Sequence, residues 1–353
     1  MINIKLFYFA VILLFAALSC KKKDANSELE PGIIENQIFN NTVLIDGHTY
    51  DGTVIRNCTF EDVEGDGLQI RDVVGLCIEN CIFKNISENA IRFRNSGSSD
   101  GVKIIKNEIY NIKQNGILAP ENHINTVIKG NTIYNVATSN TSSQFGAPHH
   151  GIYFQGINVL ITENTIYDIN NDQGNCVSIR TSGTVSRNLL HNATDHGISY
   201  FSDHPANEGA LLIENNIIYD NGKRGINLAS DGTVANHIGS TLIQFNSILS
   251  KDKSPIGLGD DLSDVLVDIT GNILIRTDGL TNYIFGSIDY SNSYNLESAT
   301  DIGFVNFTGR DLHIKSSSSA NGFAQGAIEF PSVDFDSDTR LSSELDAGAD
   351  EID

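Results

Sequence analysis

An asparagine returns down this chain about every 27 residues, each time inside the same short phrase, and that periodicity leaves few folds open. The phrase is aliphatic-x-x-Asn-x-Ile-aromatic or a shortened form of it. It reads Ile78-Glu79-Asn80-Cys81-Ile82-Phe83 and Ile105-Lys106-Asn107-Glu108-Ile109-Tyr110, then Asn131-Thr132-Ile133-Tyr134, Asn164-Thr165-Ile166-Tyr167 and Asn216-Ile217-Ile218-Tyr219. Weaker copies centre on Asn57, Asn188, Asn246 and Asn272. A second phrase, Gly-Ile-x-aliphatic, follows most copies by nine or ten residues, as in Gly116-Ile117-Leu118-Ala119 and Gly151-Ile152-Tyr153-Phe154. Each repeat therefore carries at least two short strands whose alternation puts isoleucine inside and the next residue outside.

A repeat of this length matches one coil of a three-sided, single-stranded parallel β-helix. One coil cannot bury its own apolar edge, but coils stacked about 4.8 Å apart pair every strand with the neighbours above and below. Asparagine suits the corner between strands because it tolerates left-handed backbone angles. Its amide can also bond to the next coil, so all nine repeat asparagines are expected to form a structural ladder. The class is all-β, with about nine or more coils over 41–300. Residues 301–353 are expected to cap the open end, which would otherwise expose unpaired backbone.

The chain resembles the right-handed β-helix proteins of the pectate-lyase superfamily over Val43–Ile275. That resemblance implies the right-handed solenoid and a superfamily of polysaccharide lyases, hydrolases, esterases and epimerases, alongside members without known activity. Fold alone does not choose among these.

The N-terminus reads as an export signal. Met1–Lys5 is weakly basic, and the apolar run Leu6–Leu18, about 13 residues, is too short to span a bilayer. Ala17-Leu18-Ser19-Cys20 resembles a lipobox, which implies a signal peptide over 1–19, lipidation of Cys20 and a tether over 20–40. Lys21-Lys22-Lys23-Asp24 is similar to the start of lipoproteins of Bacteroidetes-type bacteria, implying an outer-membrane protein at the cell surface or periplasmic face. With 44 acidic against 23 basic residues, the chain is a poor nucleic-acid binder. Its expected partners are a membrane, through the lipid, and a polysaccharide.

Cys58 and Cys81 fall at the same place in successive coils, so stacking would bring them within disulfide range or leave them as inert neighbouring thiols. Asp334, Asp336 and Asp338 have a calcium-like spacing, but position six of such a loop is Thr339 and position twelve is Leu345. A capping role is the stronger reading.

The candidate site is the outward face of the Gly-Ile strands. Stacking there would align Gln69, Arg92, Leu118, Tyr153, Ser178, Ser199 and Asn227, with Arg71, Arg94, Pro120, Gln155, Arg180 and Phe201 two residues further on. Arginine grips carboxylates through a bidentate fork, so Arg71, Arg92, Arg94 and Arg180, with Gln155, are expected to bind an acidic polysaccharide. Pairing with nearby acids on a solvated face is the competing reading. Five histidines (His123, His149, His150, His196 and His204) bracket these strands. The insertion Ala137–Pro148 and the loops Glu121–Thr126 and Phe201–Gly209 mark the same region. Ala147-Pro148-His149-His150 resembles the Asp-Pro-His-Asp motif of mannuronan C5-epimerases with both aspartates replaced.

The expected chemistry is lyase-like β-elimination on a uronic-acid polymer. Arginine would neutralise the carboxylate, while His150, His196, Tyr153 or Tyr200 would serve as acid and base. A hydrolase would need two carboxylates, for which Asp195 and Asp203 are available. The alternative is a noncatalytic surface protein that binds glycan or serves as an adhesin, a reading favoured by the absence of tryptophan.

Overall fold

The computed structural model describes residues 30–138, 148–203 and 209–352, together with the backbone of Lys21–Lys22. The signal peptide, Cys20 and 23–29 of the tether lie outside the described residues, as do His204 and 139–147 of the insertion. No helix among the described residues is long and apolar enough to cross a membrane.

Three parallel sheets of 11, 12 and 10 strands run the length of a β-helix. One coil shows the plan: Val159–Thr162 in the first sheet, Thr165–Ile169 in the second and Val177–Ile179 in the third. The solenoid begins at Ile33–Glu35, ahead of residue 41, because Ile34 and Phe39 already bury inward and their strands pair with the next coil. The repeat phrase is already present there as Ile34-Glu35-Asn36-Gln37-Ile38-Phe39, with Asn36 at a left-handed φ of 54° in register with Asn57, so counting from Asn57 understated the helix by one coil.

The asparagine ladder is present, but its two expected duties fall on different residues. At the corner between the first two sheets the left-handed residue comes one position earlier: Asn57, Asn80, Lys106, Gly130, Glu163, Arg187, Asn215, Phe245, Gly271 and Tyr294 all have φ between 51° and 66°. The buried rung follows it. Asn164 shows the pattern, with Nδ2 donating to the Ile128 carbonyl and to Asn188 Oδ1, both at 2.9 Å. Its own Oδ1 accepts the Asn131 amide at 2.9 Å. Rungs run from Asn107 through Asn272 and end on Asn295. Asn57 and Asn80 are therefore corner residues rather than rungs. Cys58 and Cys81 occupy their rung positions as free thiols, with the Cys58 amide donating to Cys81 Sγ at 3.4 Å.

Alternation fills the interior. In the third sheet Leu68 and Ile70, Ile91 and Phe93, Ile152 and Phe154, and Val177 and Ile179 are wholly buried. Gly151 precedes such a strand because the coils approach too closely there for a side chain. A Cβ would lie 2.6 Å from the Cys176 carbonyl oxygen and 2.7 Å from Ile166 Cγ2.

Residues 301–352 lie along the flank of the last coils. The antiparallel pair Phe304–Asn306 and Asp311–Ile314, with Ala320, Ala324, Leu345, Ala347 and Ala349, packs on Ile217, Leu249, Ile273 and Ile275. These four point outward from the second sheet, so without the tail they would leave an apolar patch in water. The Gly348 amide donates to the Gly271 carbonyl at 2.7 Å, and Arg340 reaches Asn215 Oδ1 at 3.1 Å. Asp334 is wholly buried and spends its carboxylate on the amides of Asp338 and Glu351. The calcium reading of Asp334, Asp336 and Asp338 therefore loses its first ligand to the backbone. Among the described residues, the group whose donor atoms lie close enough to hold a metal is His313, Asp336 and Asp350, within 4.8 Å of one another.

Candidate functional site

The strand register aligns the outward row as Gln69, Arg92, Leu118, Tyr153, Ser178, Ser199 and Asn227, the order that alternation predicts. The arginines along this face form two groups. Near the start of the solenoid Arg71 grips Asp46 with both Nε and Nη2. This neighbour holds the Asp46 carboxyl below its ordinary value, since the ionised form is hydrogen-bonded to a cation. Arg92 lies 3.5 Å from Asp66, and Arg94 donates to Gln69 at 2.8 Å. Asp46 had no signal in the repeat, and its role shows only once the coils are stacked.

The second group lies three coils further on, about 14 Å away, with Leu118 and Pro120 on the coil after Arg94. Here the Tyr153 hydroxyl accepts from Gln155 Nε2 at 2.8 Å and from Arg180 Nη2 and Nε at 3.3 and 3.4 Å. The Arg180 guanidinium sits between the Tyr153 and Phe201 rings, 4.9 and 5.2 Å from their centroids, and its Nε is 3.5 Å from Asp203. Such a guanidinium has its flat faces covered by aromatic rings and its edge turned to oxygen.

His150 and His196 lie on one edge of this face as rungs of a second polar ladder, between the second and third sheets. Each residue before the Gly-type position accepts the amide of its counterpart in the next coil. The series runs Asp66, Asn89, Asn115, His150, Asn175, His196 and Arg224. The two imidazoles accept through Nδ1, from the Asn175 and Arg224 amides, both at 3.1 Å. An acceptor Nδ1 assigns the proton to Nε2 and the neutral state to the ring. Burial holds His150 well below its usual value, with Arg180 and His149 adding like-charge repulsion. Burial takes His196 down to about 4, against the opposing pull of Asp195, which lies 3.3 Å from its Nε2. His150 also meets the Tyr153 ring edge-on at 5.0 Å.

Tyr200 stands apart. It follows the inward alternation of Ile198, is wholly buried, and its hydroxyl accepts the Ile238 amide at 3.3 Å. His123 is also buried, with Nε2 donating to the Arg94 carbonyl at 2.9 Å. The structure therefore unites Tyr153, Gln155 and Arg180 with His150 beside them. It sets Arg71, Arg92 and Arg94 at one end and His196 about two coils beyond His150. Sequence reasoning passed over Ser230, His237 and Asp264, which meet at the C-terminal edge of the same sheet, Ser230 from the last position of the strand Ile226–Ser230 and the other two from stretches without any repeat signal.

The family model described as the right handed beta helix region matches residues 24–133 and 89–248, well over half of the chain. The chain belongs to the right-handed β-helix family. No curated protein sequence matches it significantly. Among solved structures this β-helix is similar to pectate lyase Pel9A, with 11% identity, a TM-score of 0.54, and coverage of 92% of this chain and 87% of that one. It is also similar to XylC in complex with xylose, with 14% identity and a TM-score of 0.52 over 84% of this chain. The chain spans 66% of the length of XylC. At these identities the likeness is one of fold.

Proposed function

We propose that this β-helix is an exported, lipid-anchored protein that binds an acidic polysaccharide along its third sheet and cleaves it by β-elimination. The observation that carries the reading is the outward Tyr153 hydroxyl held by the Arg180 guanidinium and Gln155. Asp203 already places a carboxylate beside Arg180, and a uronate carboxylate would take a similar position. Arg180 would then draw charge from the sugar carboxylate and ease removal of the C5 proton. Tyr153, as phenolate, would take that proton while the C4–O bond breaks and the C4–C5 double bond forms. The same oxygen would return the proton to the leaving group. Arg71, Arg92 and Arg94 would hold the polymer further along. The neutral imidazoles of His150 and His196 would line the edge of the groove. A pectate lyase and a xylose complex among the structural relatives support a carbohydrate ligand.

The test is incubation with a panel of uronate polymers while following the ultraviolet absorbance of the unsaturated product. Tyr153→Phe should abolish that product while leaving oligouronate binding intact, and Arg180→Ala should weaken binding in a salt-sensitive manner. Arg71, Arg92 and Arg180 each already have an internal carboxylate within ion-pair range, an observation that favours pairing on a solvated face over binding of an acidic polymer. Binding by the wild type without turnover would select a noncatalytic glycan-binding protein, and absence of both would end the polysaccharide reading. For the anchor, Cys20→Ala should move the protein from the membrane fraction to the soluble one; unchanged fractionation would remove the lipid assignment.

A further inference from the structure

Beyond the groove, three side chains from separate stretches of the chain meet at the C-terminal edge of the third sheet. Ser230 closes the strand Ile226–Ser230, and His237 follows the single 3-10 turn Val234–Asn236. Asp264 belongs to the next coil, just past the turn Asp260–Leu262. Ser230 Oγ lies 2.6 Å from His237 Nε2, and His237 Nδ1 lies 2.6 Å from Asp264 Oδ1. An ionised carboxylate only accepts, so the ring proton is assigned to Nδ1. That leaves Nε2 as the acceptor of the serine hydroxyl proton. The order is nucleophile, base and orienting acid.

The surroundings fit that order. The imidazole is almost wholly enclosed, at 2% side-chain exposure, while Asp264 keeps 40% and Ser230 is half-buried at the surface. The Gly232 amide donates to Ser230 Oγ at 2.8 Å, and the Ser202 hydroxyl lies 3.3 Å from it. These two donors fix the rotamer of the Ser230 hydroxyl, leaving its own proton directed at His237 Nε2. Ser230 is in register with Ser202, one coil past Ser178 and Arg180, so it lies about 10 Å from the Tyr153–Arg180 group along the same sheet. Its parity is that of the inward Leu228 and Ser202, so it stands half-buried at the C-terminal edge of its strand rather than in the outward rows of Tyr153 and Arg180.

We propose that Ser230, His237 and Asp264 form an acyl-hydrolase site that removes O-acyl groups from a polysaccharide lying along this sheet. The glycan part of that assignment rests on the function proposed above; the nucleophilic serine does not. Ser230 Oγ attacks the ester carbonyl as its proton passes to His237 Nε2, forming the Oγ–acyl bond. The bond from the acyl carbon to the sugar oxygen then breaks, and that oxygen takes the proton from His237. Water attacks the acyl-serine, giving its proton to Nε2. The carboxylic acid leaves, and the proton returns to Ser230. Asp264 holds the imidazole in the required tautomer throughout.

The experiment treats the full-length protein with a fluorophosphonate and maps the adduct by mass spectrometry, in parallel with hydrolysis of p-nitrophenyl acetate and of an O-acetylated uronate polymer. One adduct on Ser230 is expected, together with hydrolysis that Ser230→Ala removes. Asp264→Asn should lower the rate by roughly 10³–10⁴-fold with the unfolding temperature unchanged. A natively folded wild type that gains no adduct and hydrolyses neither ester would overturn the site and leave the three residues as a loop clasp. Hydrolysis that survives in Ser230→Ala would overturn it equally. Turnover of the small ester without release of acetate from the polymer would keep the serine site and reject the glycan substrate.

Discussion

A buried imidazole that gives its Nδ1 lone pair to a backbone amide has one comfortable protonation state. His196 is in that position, accepting the Arg224 amide with its side chain 9% exposed. Its folded pKa is pushed down to about 4 from an ordinary 6.5, so folding prefers the neutral ring. The contribution is fully present above pH 6.5 and is lost as pH falls through about 4. The shift corresponds to stability on the order of 3 kcal/mol. Asp350 and Glu351 run the other way, raised by burial to about 6 and about 7, so the effect is read as a difference between variants. Asparagine already fills the neighbouring rung at Asn175, and His196→Asn should keep the ladder while removing the acid sensitivity. Thermal unfolding followed from pH 7 to pH 4 should show the wild type losing ground to the variant. Parallel curves would mean that His196 does not titrate as a buried rung.

At the scale of a coil, the ladder makes each corner depend on its neighbours. Replacing Asn164 by leucine leaves the Asn131 amide and the Ile128 carbonyl without their partners in a dry corner. An expected loss of about 3 kcal/mol follows from two stranded backbone groups and the missing amide bonds. Equilibrium unfolding of Asn164→Leu checks it, and an unchanged midpoint would remove the ladder from the stability argument. The alternation of the Gly-Ile strands was legible in full, because period-two patterning states which residues turn inward. Tyr200 obeys that pattern and is inside. Its expected place beside Tyr153 treated a hydroxyl as exposed against the alternation itself. The split between left-handed corner and buried rung was not legible at Asn57 and Asn80, because asparagine suits both positions and only hydrogen bonds between coils separate them.

Over the whole molecule, the tail binds the second sheet through an internal ion pair as well as apolar packing. Arg340 donates to Glu351 at 2.6 Å, to the Gly348 carbonyl at 2.7 Å and to Asn215 of the solenoid, and its guanidinium lies 4.8 Å from the Phe245 ring centroid. Removing one member of so enclosed a pair strands the other charge. Arg340→Ala should therefore destabilise the protein by roughly 3–5 kcal/mol and loosen the tail from the last coils. Limited proteolysis would show this as early cleavage within 301–352 while the upper coils stay protected. A digestion pattern identical to that of the wild type would mean the tail is held by its apolar face alone.

Strand period, coil length and the identity of the outward rows follow from the sequence alone, because a solenoid contacts only its neighbours and repeats its instructions locally. What alternation cannot state is which partner a polar side chain finds once the coils are stacked. That is why Arg71 ends on Asp46 and Arg180 between Tyr153 and Phe201. For the same reason His150 serves a ladder, and His237 and Asp264 converge on Ser230, at the end of a repeat strand, from stretches with no period at all. The tail's place on the flank was likewise decided by the outward Ile217, Leu249, Ile273 and Ile275, whose exposure is a property of the folded surface rather than of any segment.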